Sequence, residues 1–508
     1  GGLGGVVESA DLFVMENGAT LQTTETVTQG SPMKMEGKDG GCVENLKDFI
    51  VETPVEGTLL TKKGDGWMKL NTVCPSLERL AINGGTVQCV ACDRPAQTVE
   101  FISGTLYENT GSSYAIHVPE GGSGTWSLAN RSTYNNKITG EGTLTIYCAV
   151  EHGNGWFATR TPVAVNLSLF TGTINATADM ADSYPRFTLN TSSGMPDGTL
   201  NITAGVTVQN TGRTFRIGKL AGKGTLGGYA SFANDGATGV NTWQVGCDDD
   251  FAWAGTVTAN SKFEKVGSGK MTVSGVWDNT GEVAVKEGTL CLNDRSAENA
   301  MLGSGELSVE DGAVLCGMGK LGNASVTVER GGRLYSGTRE GASSGTLDFS
   351  GKGLTGGEVL FNVASKVRCT TLEGISSFSL RGTLKVSVRE GLELEAGDEF
   401  QLWVANRTAL SSACTLDLDS PGEGLEWDTS ALENGILKVK TATGITGVVS
   451  GEPVDCVVYT LDGARAGSFT CMPSEVGEYM ERNGFRSGMY MVKMTQGQRT
   501  ESRKVTVD

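Results

Sequence analysis

Short alternations of apolar and polar residues, each opened by glycine, run through most of this chain. The tripeptide Gly-Thr-Leu recurs eight times, starting at Gly57, Gly104, Gly142, Gly198, Gly224, Gly288, Gly345 and Gly382. Several copies run on with strict alternation, as in Gly142-Thr143-Leu144-Thr145-Ile146-Tyr147. Variants fill the gaps, among them Gly124-Thr125-Trp126-Ser127-Leu128, Gly269-Lys270-Met271-Thr272-Val273 and Gly305-Glu306-Leu307-Ser308-Val309. A period of two predicts short strands with one face in and one face out, and glycine marks the corner where each strand turns. Such units cannot bury an apolar face alone. Stacked at about 4.8 Å per rung they share one continuous core. Uneven spacing between units suits a β-helix, whose corners vary while its strands stack. Long helical patterns are almost absent, and Ser474 to Arg482 is the one short helix predicted.

The stretch from about Thr242 to Leu292 is the most regular. It contains Phe263-Glu264-Lys265-Val266-Gly267-Ser268-Gly269, then Asn279-Thr280-Gly281-Glu282-Val283, and closes on Lys286-Glu287-Gly288-Thr289-Leu290. This order of a Lys-Val-Gly-x-Gly strand start, a Thr-Gly turn and Val-x-x-Gly-Thr-Leu resembles the repeat of autotransporter-type passenger domains. The resemblance implies a secreted right-handed parallel β-helix. Full and degenerate repeats cover roughly 200–363, while residues 1–200 keep the composition without the full motif. Near Ala396 the pattern changes. Phe400, Trp403 and Trp427 are expected to cap the last coil, whose apolar cross-section and strand edges would otherwise face water.

After Thr443 a separate unit begins. Val457-Val458-Tyr459-Thr460-Leu461-Asp462-Gly463, Gly488-Met489-Tyr490-Met491-Val492 and the terminal Lys504-Val505-Thr506-Val507 read as three strands. Their order resembles the C-terminal sorting domain of secreted Bacteroidetes proteins, which implies export through the type IX route and a partner in the secretion machinery. The expected organisation is therefore an all-β chain. A β-helix spans 1–395, its cap 396–442, and a small immunoglobulin-like β-sandwich 443–508. The first residues, Gly1-Gly2-Leu3-Gly4-Gly5, have neither the basic start nor the apolar core of an export signal, which reads as a mature or trimmed chain.

Composition narrows the function classes. Glycine supplies 73 of 508 residues and proline only 11, which fits repeated tight turns rather than collagen or a proline-rich linker. The formal net charge of −17 provides no basic footprint for nucleic acid. No apolar run is long enough to span a bilayer as a helix. The 12 cysteines are scattered, and Cys89 and Cys92 form the only C-x-x-C. With only His117 and His152 to join them, they predict no zinc site, and most read as small buried residues. Cys456 and Cys471 are the one pair expected to approach a disulfide.

Candidate chemistry is sparse. Asp248-Asp249-Asp250 is the densest acidic group, and its oxygens could suit Ca2+, the one cofactor considered. Otherwise it is a solvated corner. No carboxylate pair for glycoside hydrolysis recurs in a motif. Glu264, Asp278, Asp398 and Asp428 are single candidates. No nucleophile elbow accompanies either histidine. Trp156 and Phe157, in a Gly-rich stretch beside His152, and Trp67, after Gly64-Asp65-Gly66, are candidate sugar-stacking residues, because an aromatic face matches the C–H face of a pyranose. Packing against a coil edge is their ordinary alternative. Together these features predict a secreted or cell-surface, adhesin-like protein that binds glycans or extracellular matrix. A β-helix polysaccharide lyase or hydrolase is the second expectation, and a structural spacer the third.

Overall fold

The structure, a computed structural model, describes residues 12–442 and 452–507, apart from 109–110, 129–133, 149–161, 179–185, 190, 211, 229–239, 259, 294–300, 342–344 and 498. Strands make up 61% of it and helix 2%, so the fold is all-β. Most strands stack in register into a parallel β-solenoid of about 15 turns. Antiparallel sheets follow at the C-terminus and fit a small β-sandwich.

The alternation fixes which side chains point inward. Met68, Val87, Leu106, Trp126, Ile146 and Ala176 occupy one register column on successive rungs, and none is exposed to solvent. Trp243, Phe263, Val283, Leu307, Val326 and Leu354 form another. Each such residue buries about 2 kcal/mol of transfer free energy that a single rung could not provide. The leucine of Gly-Thr-Leu is buried in seven of the eight copies. At Gly57 the phase slips by one: Leu59 is half-buried and Leu60 takes the core position. Gly57 sits at φ +108°, and a Cβ there would lie 2.0 Å from the Met35 carbonyl oxygen, so the strand bends over the rung below before resuming its alternation.

The Lys-Val-Gly-x-Gly motif has a physical explanation. Lys265 is wholly buried, and its ammonium donates to the carbonyls of Val266 (3.0 Å), Gly267 (2.7 Å) and Glu287 (3.1 Å). It thus satisfies corner carbonyls on two rungs at once. Burial pulls its pKa down to about 8. Lys62-Lys63-Gly64-Asp65-Gly66 repeats the device. The buried Lys62 ammonium donates to Lys63 (2.8 Å), Gly64 (2.7 Å) and Gly84 (3.2 Å). The Lys-x-Gly-x-Gly corner of the regular repeats therefore recurs at 62–66, within the first 200 residues.

The last rungs are closed by Glu399–Gln401, Leu425–Asp428 and Ile436–Thr441, a three-stranded antiparallel sheet. Phe400 and Trp403 are buried, and Trp427 packs against Phe400 with ring centres 6.0 Å apart. Trp403 also meets Phe361 and Phe378, so the closing aromatics are continuous with the solenoid core. The C-terminal unit has a core of its own. Four antiparallel strands, Val454–Thr460, Arg465–Cys471, Gly488–Gln496 and Arg499–Val507, form its sheet. The expected helix is present as Val476–Arg482, with Val476 and Met480 buried in that core. Cys456 and Cys471 lie there as free thiols and not as the expected disulfide, donating to the carbonyls of Val454 (3.9 Å) and Met472 (3.3 Å).

Candidate functional site

One outward face carries an ordered polar surface. It is built by Trp67–Leu70, the second halves of Leu77–Cys89 and Thr98–Glu108, and then Ser123–Leu128, Thr143–Cys148, Thr173–Ala178 and Met195–Ile202. Threonine follows the corner glycine in most of these strands, so register stacks threonines. Thr86, Thr105, Thr125 and Thr145 lie in one column, which continues as Asn175 and Asn201. Asn201 donates to Asn175 at 2.8 Å, and Asn175 donates to Thr145 at 3.3 Å. Ser123, Thr143, Thr173 and Thr199 make a parallel column two residues earlier. The result is a grid of hydroxyls and amides spaced about 4.8 Å along the axis and about 6.6 Å across it.

Trp67 begins the first column, in register with Thr86. It is 40% exposed, and its ring lies 6.3 Å from that of half-buried Tyr107. Tyr147 lies two rungs beyond Tyr107 in that residue's column. The predicted stacking residue is thus solvent-facing at the end of a polar ladder. Trp156 and Phe157, with His152, fall outside the described residues.

A cleft of about 460 Å³ opens on the neighbouring face, lined by Lys38, Thr58, Glu78, Arg79, Thr98, Glu100 and His117. Five successive rungs contribute, which is why residues scattered over 80 positions meet. Arg79 pairs with Glu100 at 3.4 Å, and Glu100 sits in register with His117. His117 Nδ1 lies 3.1 Å from the Thr139 hydroxyl. Carboxylates, two basic side chains and an imidazole thus share one open polar surface.

Asp248, Asp249 and Asp250 occupy an exposed corner, and their carboxylates turn to three separate partners. Asp248 accepts from the Ser268 hydroxyl (2.7 Å), which lowers its pKa, Asp249 pairs with Lys219 (2.6 Å), and Asp250 accepts from the Lys270 amide (2.7 Å). They do not surround a common point. Among the described residues no three His, Cys, Asp or Glu side chains gather as metal ligands. Three of the four single carboxylate candidates are also separately engaged. Glu264 pairs with Lys286, Asp398 accepts from the Glu395 amide, and Asp428 from the Ser430 amide.

No protein-family model and no curated protein matches the chain. The site must be read from its own chemistry.

One buried group behind the ladder escaped the sequence reading. Glu108 belongs to the inward column Leu70, Cys89, Glu108, Leu128, Cys148 and has no solvent exposure. Its carboxylate accepts from the Tyr114 hydroxyl (2.6 Å), the Trp126 indole N–H (2.7 Å) and the Ser112 hydroxyl (3.0 Å). Burial pushes its pKa up, the three donors pull it part of the way back, and it lies at about 7. Asn136 extends the network, facing the Ser112 hydroxyl at 2.9 Å and donating to the Tyr114 carbonyl at 3.0 Å. This cage fixes Trp126 directly beneath the Thr105–Thr125–Thr145 ladder.

Proposed function

We propose that this is an extracellular, adhesin-like protein that binds an extended glycan along the Thr/Asn ladder, with Trp67 and Tyr107 as its stacking platform. The observation that carries the reading is the register-locked grid of hydroxyl and amide groups that begins at exposed Trp67, beside half-buried Tyr107. An extended polysaccharide offers hydroxyls at regular intervals, and a rigid grid meets them without first being ordered. The aromatic faces suit the apolar face of a sugar ring. Export, with the C-terminal unit addressing the secretion machinery, belongs to the same proposal and rests on the strand motifs of residues 457–507. No helix among the described residues is long and apolar enough to cross a membrane.

The test is affinity electrophoresis of the full chain through gels holding neutral plant, microbial or host polysaccharides. Trp67→Ala is expected to weaken retention about tenfold, as loss of about 1.4 kcal/mol of stacking and burial would do. Retention of the variant equal to that of the parent would remove the ladder from consideration.

The cleft supports a second reading, a β-helix polysaccharide lyase or hydrolase, because carboxylates and basic groups on adjacent rungs are what such chemistry needs. Incubation with the same polysaccharides, following unsaturated-uronate absorbance and new reducing ends, separates the two. Product release that disappears in Glu78→Gln or Glu100→Gln would replace binding by catalysis.

A further inference from the structure

Corner length varies along the solenoid, and at one place it leaves a notch. Ser308 to Val314, Thr327 to Arg333, Thr355 to Glu358, Ser379 to Thr383 and Ala409 to Thr415 are equivalent stretches by register. The chain covers them in six, six, three, four and six steps. Two short corners are therefore flanked by longer ones, and the recess between is about two rungs, or about 10 Å, tall. Gly357 and Gly382 make the short corners possible. A Cβ would lie 2.0 Å from the Glu329 carbonyl oxygen at Gly357, and 1.7 Å from the Gly357 carbonyl oxygen at Gly382.

The recess has a volume of about 780 Å³, within the range of small-ligand sites. Its floor is Gly356, Gly357 and Gly382, and its polar lining includes Asp311, Arg330, Glu358 and Arg381. Both arginines are exposed, and neither has an ion-pair partner among the described residues. Two guanidinium forks at a concave recess with a glycine floor are suited to bidentate capture of a planar anion.

We infer that this notch is a binding site for an acidic sugar, with Arg330 and Arg381 receiving its carboxylate. The bare glycine floor admits the ring close to the backbone, and Asp311 and Glu358 accept hydrogen bonds from its hydroxyls. The inference rests on the glycan-binding reading and adds a site remote in sequence from Trp67, selecting for charge rather than for length.

The experiment is titration calorimetry of the full chain with a galacturonate trisaccharide and with its neutral galactose counterpart. The acidic sugar is expected to bind at least tenfold more tightly. Arg330→Ala/Arg381→Ala is expected to remove that preference, and Arg330→Lys/Arg381→Lys to restore part of it, since the charge remains and the fork is lost. Equal binding of the two sugars, no binding of the acidic one, or full binding by the double alanine variant would each overturn the notch. Retention of neutral polysaccharide that depends on Trp67 would still uphold the ladder, so the two ideas fail separately.

Discussion

Glu108 permits a quantitative test of how the ladder is supported. An isolated glutamate titrates near 4.5, whereas burial lifts Glu108 to about 7. The folded state therefore holds the proton more tightly than the unfolded chain. The resulting stabilisation is complete below the unfolded value and is lost as pH rises through the folded one. A displacement of about 2.5 pH units corresponds to about 3 kcal/mol. Glu108→Gln keeps the shape and removes the titration. Its carboxamide oxygen can accept from Trp126 and Ser112, while its amine faces a tyrosine hydroxyl that can turn to accept. Other carboxylates also titrate here, so the quantity to follow is the stability difference between parent and variant. Hydrogen exchange of the amides in Thr98–Glu108 and Ser123–Leu128 reads the local opening free energy, which is preferable to one global value in a stacked array. From pH 4.5 to pH 8 that difference should shift by about 3 kcal/mol in the variant's favour. Parallel profiles across the whole range would refute a buried carboxyl with a raised pKa.

The corners make further predictions. Lys265→Met should lower stability by about 3 kcal/mol, because three corner carbonyls lose their donor, and urea denaturation followed by tryptophan emission measures it. A variant as stable as the parent would make the ammonium dispensable. Gly382→Ala should cost about 2 kcal/mol, since its methyl would meet the Gly357 carbonyl oxygen at 1.7 Å. Gly30→Ala, where nothing lies within 4 Å, should change stability by less than about 0.5 kcal/mol, so equal melting shifts for the two would refute the steric argument.

The solenoid was legible because side-chain direction in a strand has a period of two. Gly-Thr-Leu announces a corner and an outward hydroxyl, and an inward leucine in seven of its eight copies. Register was less legible. Thr86, Thr105 and Thr125 each follow a corner glycine, but nothing local states that Thr145, and not Thr143 of Gly142-Thr143-Leu144, continues their column. Corners of unequal length hid the cleft. Lys38, Arg79, Glu100 and His117 come together only once rungs are stacked. The aspartate corner was legible as a corner, but the rung faced by each carboxylate was not, and that decides whether three acids converge. Glu108 did leave a signal. In Gly104-Thr105-Leu106-Tyr107-Glu108 it fills the slot that Leu128 fills in Gly124-Thr125-Trp126-Ser127-Leu128. An acid in an apolar slot requires a cage. The closing aromatics were readable from composition, since a stack of strands must end on something apolar and large.

Corner length bears on how such a protein can change. Strand register and inner packing are set by the flat faces, whereas the residues spanning each corner set only the outline. Loss or gain of two or three residues there reshapes the flank without shifting any side chain from inside to outside. A deletion within a globular domain commonly threatens the fold, but here it carves a recess, and an insertion raises a ridge. The same core can thus carry many different contours, each open to selection almost independently of stability.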